Sequence, residues 1–151
     1  TMTRAQFCTM VVKALELVPL KSTVFSDVPA KTWYSKAVAW AQAEGIVLGV
    51  GNNKFAPNDN VTREQIATIL WRYAKYQGYD VSVGEDTNIL SYDDAFDISK
   101  YAIPAMQWAC GAGLVTGIAD ENGGMILDPQ GATTRAQIAT VLMRFCVEIE
   151  K

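Results

Sequence analysis

"VTREQIATILWRY", residues 61–73, begins as a helix should and then does what a helix start normally avoids. Thr62 followed three residues later by Gln65 has the form of a capping box, in which the hydroxyl and the side-chain amide each satisfy an orphan backbone N–H. Apolar residues then recur at helical spacing, Ile66, Ile69, Leu70, Tyr73 and Ala74, so the segment is an amphipathic helix with one face toward a core. Arg63 is left unexplained. A cation beside the positive end of a helix macrodipole costs roughly 0.3–1 kcal/mol unless an anion lies nearby, so this arginine needs a partner outside its own helix.

The same signature occurs three times, as "TRAQF" at 3–7, "TREQI" at 62–66 and "TRAQI" at 134–138. Each opens an apolar stripe at one phase. The first reads Phe7, Met10, Val11, Ala14, Leu15 and Val18, and the third reads Ile138, Val141, Leu142, Phe145, Cys146 and Ile149. Helices are expected near 3–17, 62–77 and 134–149, with Cys146 in the core at the place of Leu15. The intervening segments match too. Phe25, Asp27, Trp33, Trp40, Gly45, Gly49, Phe55, Pro57 and Thr62 are answered in order by Tyr92, Asp94, Tyr101, Trp108, Gly113, Gly117, Leu127, Pro129 and Thr134. Shorter helices near 33–44 and 101–112 end at glycine, with Pro104 tolerated in a first turn. Each leads into a glycine-rich excursion with a short extended piece. The organisation is the second half of a first repeat (1–20), a second repeat (21–77), a polar linker (78–91) and a third repeat (92–151), together one domain.

Composition narrows the chemistry. The 151 residues carry a net charge of −3 and no histidine, which argues against a nucleic-acid binder and removes histidine-based triads, metal sites and acid–base catalysis. No apolar run approaches the roughly 18 residues of a membrane span, so membrane insertion is not expected. The three cysteines show no metal-binding spacing, and "DENGG" at 120–124 lacks the alternating ligands of a calcium loop. No metal or cofactor is expected.

The ordered combination F-x-D, W-x4-G-x3-G, F-x-P and T-R-x-[EQ] in "FSDVPAKTWYSKAVAWAQAEGIVLGVGNNKFAPNDNVTREQIATIL" closely resembles the S-layer homology repeat, and the third repeat looks like a more divergent copy. The resemblance implies an all-α fold, in which helix-loop-helix repeats pack as a pseudo-threefold helical bundle with long loops. It implies extracellular anchoring at a bacterial cell wall through secondary cell-wall polysaccharide, often with pyruvylated sugars. Grooves between neighbouring repeats would be lined by the motif's arginine. Glutamine stands for the usual glutamate at Gln6, Gln65 and Gln137, which keeps the cap and removes a negative charge beside each arginine.

The five arginines fall at two repeat phases. Arg72 and Arg144, with Lys13, lie toward helix C-termini, where a cation is favourable, and read as solvated or helix-end residues. Arg4, Arg63 and Arg135 lie where the dipole opposes them. Either they bind an anionic ligand or they meet an intramolecular partner, for which Asp27 and Asp94 are the candidates. Trp33 and Tyr101, at helix starts, could present a ring to a sugar, whereas Trp40 and Trp108 read as core anchors. Gly49 and Gly117 either admit a ligand to the backbone or serve their loops. These nine residues, Arg4, Arg63, Arg135, Asp27, Asp94, Trp33, Tyr101, Gly49 and Gly117, are the expected ligand-binding set of a non-catalytic wall anchor. The competing reading is a structural or protein-interaction module with its grooves filled from within. A glycosidase using Asp27 and Asp94 ranks third, because repeat duplication already accounts for both aspartates. The first repeat lacks its aromatic, aspartate and double-glycine half. The chain is therefore expected to be a fragment of a longer secreted protein, with an exposed apolar side of helix 3–17 covered by another copy of the chain or by shifted packing.

Overall fold

The computed structural model describes residues 1–14, 24–82, 84 and 87–149. The fold is predominantly helical. Its elements are α1 (Arg4–Ala14), α2 (Ser35–Ala43), α3 (Arg63–Tyr76), two 3-10 turns (Ala95–Asp97 and Lys100–Ala102), α4 (Ile103–Gly111) and α5 (Arg135–Glu148). The only sheet among the described residues is a two-stranded antiparallel ribbon, β1 (Ile118–Ala119) with β2 (Met125–Ile126), in register Ile118 with Ile126. The chain forms two compact units, Thr1–Val61 and Thr62–Lys151.

The three signature threonines start their helices for the expected reason. Thr62 and Thr134 each form a full capping box with Gln65 and Gln137, and Thr3 and Gln6 exchange the same pair of bonds at 3.0 and 3.2 Å. The shorter helices stop at glycine. Gly45 and Gly113 adopt left-handed φ values of 72° and 73°. Around each, the two backbone bonds of a Schellman motif close, Gly45 to Gln42 with Ile46 to Ala41, and Gly113 to Cys110 with Leu114 to Ala109.

In the first unit α1 packs on α2, burying Phe7, Cys8 and Val11 with Val38, Trp40, Ile46 and Phe55. Of the expected α1 stripe, Phe7 and Val11 are buried and Met10 is half-buried, and the Ala14 side chain is not among those described. Leu15 and Val18 lie outside the described residues. In the second unit the α3 stripe Ile66, Ile69, Leu70, Tyr73 and Ala74 is buried as the periodicity requires. Phe145 of α5 joins Tyr73, Tyr79 and Trp108 in an aromatic cluster with centroid separations of 5.9, 6.3 and 6.4 Å. Tyr79 belongs to the 78–91 segment, which has no helix or strand among its described residues yet also buries Ile89.

The stripe on α5 departs from expectation. Ile138 and Phe145 are buried, Val141, Leu142 and Ile149 are half-buried, and Cys146 is exposed alongside Met143 and Val147. The apolar face is wider than the strip that is covered, so Cys146 is not a core residue.

Candidate functional site

The answer to the arginine at the helix start is the same in both units. In the first, the leading N–H groups of α1 are taken by loop carbonyls, Arg4 to Asp59 at 3.0 Å and Ala5 to Pro57 at 3.1 Å. The Arg4 side chain, 5% exposed, donates from Nε to the Phe55 carbonyl at 2.6 Å, with its guanidinium carbon 4.8 Å from the Phe55 ring centre. Asp27 takes the other side of that residue, accepting from the N–H of Phe55 and of Ala56 at 2.8 Å each. Burial pushes the Asp27 carboxyl up, but these N–H groups, its own N–H and nearby Lys54 outweigh it and hold the pKa below the usual range.

The second unit repeats the device with new letters. Arg63 N–H donates to Gly131 and Glu64 N–H to Pro129. Arg63 Nε donates to the Leu127 carbonyl at 2.7 Å, and Asp94 accepts from the N–H of Leu127 and of Asp128 at 2.7 Å. Arginine and aspartate thus act together by gripping the carbonyl and the N–H of one fully buried residue, Phe55 or Leu127. Gly49 and Gly117 serve the same loops. A Cβ on Gly49 would come within 2.6 Å of the Phe25 ring, and one on Gly117 within 2.5 Å of the Tyr92 ring.

Arg63 does one thing more. Its Nη2 donates to the Thr116 carbonyl at 3.1 Å, and the residue lines a pocket of about 220 Å³ in the second unit. Arg144, whose Nη1 lies 3.4 Å from the Leu114 carbonyl, lines the same pocket, as do Gln137, Thr116, Thr133 and Thr140. Ile66, Leu114, Val115, Ile118 and Val141 supply aliphatic wall. Burial lowers the Arg63 pKa against the opposing pull of Asp128, Cys110 and Asp94. It remains a cation, so the pocket carries two positive charges beside apolar surface. The volume is below the roughly 300–1,000 Å³ of drug-sized sites.

Of the other expected residues, Gly117 also lines the pocket, whereas Arg135, Trp33 and Tyr101 do not. Arg135 is exposed at the start of α5. Trp33, 64% exposed, stands edge-on to Tyr34 in the first unit. Tyr101, 49% exposed, gives its hydroxyl to Glu64 at 3.3 Å, and neither ring lines the pocket. Arg144 and Thr133 are among the pocket residues that sequence reasoning misses. Phase alone puts Arg144 at a helix end, but the 114–118 loop lies against it. Thr133 has a legible signal, since the residue preceding the capping threonine reads Met2, Val61 and then Thr133. Glu64 is likewise unmarked by the motif, although its repeat partners are Ala5 and Ala136.

A family model described as the S-layer homology domain matches residues 24–67 and 91–139. The chain is 36% identical over 143 residues to an endoglucanase of Bacillus sp. (strain KSM-635), covering 94% of this chain and 14% of that protein. It is 31% identical over 144 residues to the surface-layer 125 kDa protein of Lysinibacillus sphaericus, covering 95% and 12%. It is 32% identical over 143 residues to the exoglucanase XynX of Acetivibrio thermocellus, covering 94% and 12%. It therefore spans only 12% to 14% of these relatives' lengths. With the model matched in both repeats and the relatives aligned over nearly the whole of it, the chain belongs to the S-layer homology domain family.

Proposed function

We propose that this chain is a non-catalytic module that anchors a larger extracellular protein to the bacterial cell wall by binding an anionic secondary cell-wall polysaccharide, with a pyruvylated sugar as its ligand. The observation that carries the reading is the pair of guanidinium groups, Arg63 and Arg144, on one pocket. A carboxylate seated there would receive charge-assisted hydrogen bonds, and the aliphatic wall would meet an apolar ring face. Two glucanases and a surface-layer protein share this region. What they have in common is therefore better sought in where they are held than in a reaction. The competing structural reading has its own support at Arg4, which is buried against Phe55. In our reading Arg4 is architectural, and Arg63 does both jobs.

The test is co-sedimentation of the chain with purified cell walls, before and after extraction of their secondary polysaccharide. Arg144→Ala and Arg63→Ala should each weaken binding by about 1.5–3 kcal/mol, or roughly 10- to 150-fold. Arg144→Ala is the cleaner variant, because its bond to Leu114 is long. Wild-type retention by extracted walls, or full affinity in both variants, would overturn the proposal.

A further inference from the structure

The grip of a helix start on a loop is made twice, by α1 and by α3, with the same contacts. Two leading N–H groups meet loop carbonyls, the arginine Nε meets the Phe55 or Leu127 carbonyl, and the capping threonine forms a backbone bridge, Thr3 with Asn60 and Thr62 with Ala132. α5 has the same cap, complete in Thr134 and Gln137, and the same arginine. Among the described residues, however, the N–H groups of Arg135 and Ala136 meet no carbonyl, Thr134 makes no bridge, and the Arg135 side chain is exposed. The helix faces differ in the same way. α1 packs on α2 and α3 on α4; Ala5, Cys8 and Val11 of α1 are buried, as are Glu64, Ala67, Leu70 and Ala74 of α3. In the same register on α5, Ala136, Ala139 and Cys146 are exposed and Leu142 is half-buried, and among the described residues no short helix packs along α5 as α2 does along α1. A helix face meant for water would carry charge there, whereas this row is apolar at the positions that its two counterparts cover.

We propose that α5 is a docking surface for a loop–helix half-repeat, of the kind that residues 24–61 present to α1 and residues 92–133 to α3. The two grips already made specify the occupant. It offers Arg135 the carbonyl of one apolar residue, and offers the N–H groups of Ala136 and Arg135 the carbonyls two and four residues further on, as Pro57 and Asp59 follow Phe55, and Pro129 and Gly131 follow Leu127. An aspartate holds the N–H of the gripped residue from behind, in the manner of Asp27 and Asp94. A short helix with an apolar face then covers Ala139, Leu142 and Cys146. Residues 24–61 and 92–133 are already held by α1 and α3, so the occupant is a further half-repeat. A second copy of the chain would first have to release one of its own grips, each held at an effective concentration on the order of millimolar. The inference rests on the geometry of the clamp and is independent of the anchoring reading.

The experiment supplies such a half-repeat to the full chain. Lys151 stands in the repeat register of Leu20, so a copy of residues 21–61 appended after it continues the pattern in the order by which residues 24–61 follow α1. The copy contains no cysteine, which leaves Cys146 as the reporter of the covered face. The full chain, the chain with this extension and the chain with a Gly-Ser extension of equal length are compared by the rate of Cys146 labelling with a disulfide reagent and by sedimentation. The half-repeat should slow labelling about tenfold or more in a species that sediments as a monomer, and the Gly-Ser extension should leave the rate as it is. Arg135→Ala in the chain carrying the half-repeat should restore fast labelling by about tenfold. Equal labelling with the two extensions overturns the inference. Protection that survives Arg135→Ala also overturns it, by showing an apolar covering without the grip, as does protection confined to a dimer, which would put a second copy on the face.

Discussion

Glu64 is a buried carboxylate with no role in the pocket, and its removal can be costed from its contacts. It is 2% exposed in the first turn of α3. Its Oε1 accepts from Ser99 Oγ at 2.7 Å, Gln130 Nε2 at 2.8 Å and Tyr101 Oη at 3.3 Å, and its Oε2 accepts from Ser99 N–H at 3.0 Å. In Glu64→Gln the oxygen can keep the three-donor side, which leaves the new NH₂ facing Ser99 N–H, donor against donor. Losing one hydrogen bond to a charged group costs about 1.5–3 kcal/mol, and losing a negative charge at a helix start about 0.3–1 kcal/mol. The expected sum is roughly 2–4 kcal/mol, or about 4–16 °C in melting temperature at this chain length. Urea unfolding followed by circular dichroism measures it, with Tyr101→Phe as a comparison that removes the longest of these bonds and costs about 0.5 kcal/mol. A Glu64→Gln variant within about 0.5 kcal/mol of wild type would refute the reasoning, because the donors would then be indifferent to the charge.

Two further outcomes are expected. Asp27 has a folded pKa below its ordinary 3.8, so its stabilising contribution is present above that value and is lost as pH falls through the folded one. Asp27→Asn should therefore be less stable than wild type at neutral pH, with the gap closing under acid unfolding below about pH 4; a gap that widens in acid would contradict the sign. Burial raises the thiol pKa of Cys8 to about 12 and of Cys110 to about 11, against the smaller opposing pull of Arg4 and Arg63. At pH 8 a disulfide reagent should label exposed Cys146 rapidly, and more than one fast thiol per folded chain would be inconsistent with this burial.

The sequence is most informative where one residue's chemistry decides the local backbone. The capping threonines, the glutamines three residues on and the stop glycines place α2 to α5 within about two residues of their observed ends, because those groups act on their nearest neighbours. The α5 stripe misleads at Cys146 and overstates the burial of Leu142. Periodicity tells which face is apolar, and only the tertiary arrangement tells how much of that face is covered. The arginine at the helix start is a sound signal with half of its answer in the sequence. Asp27 and Asp94 do belong with Arg4 and Arg63, but through the two ends of a shared loop residue, and no spacing rule encodes that. Arg144 is invisible for a different reason. Its phase is the same as that of Arg72, and what distinguishes it is the 114–118 loop that builds the pocket.

The clamp also bears on how such arrays can be cut and joined. The interval that recurs in the sequence runs from an F-x-D segment to the end of a T-R-x-Q helix, whereas the interval that folds as one body starts with the helix and takes in the loop its arginine grips. The boundary between the units falls between Val61 and Thr62, inside the sequence repeat. Recombination at sequence-repeat borders would separate an arginine from its loop and force a foreign pairing, whereas a crossover just before the capping threonine transfers guanidinium, aspartate and gripped carbonyl as one heritable cassette. Chimeras of these modules should therefore be spliced before the threonine, and natural shuffling that respects this offset would move each arginine together with the loop it grips.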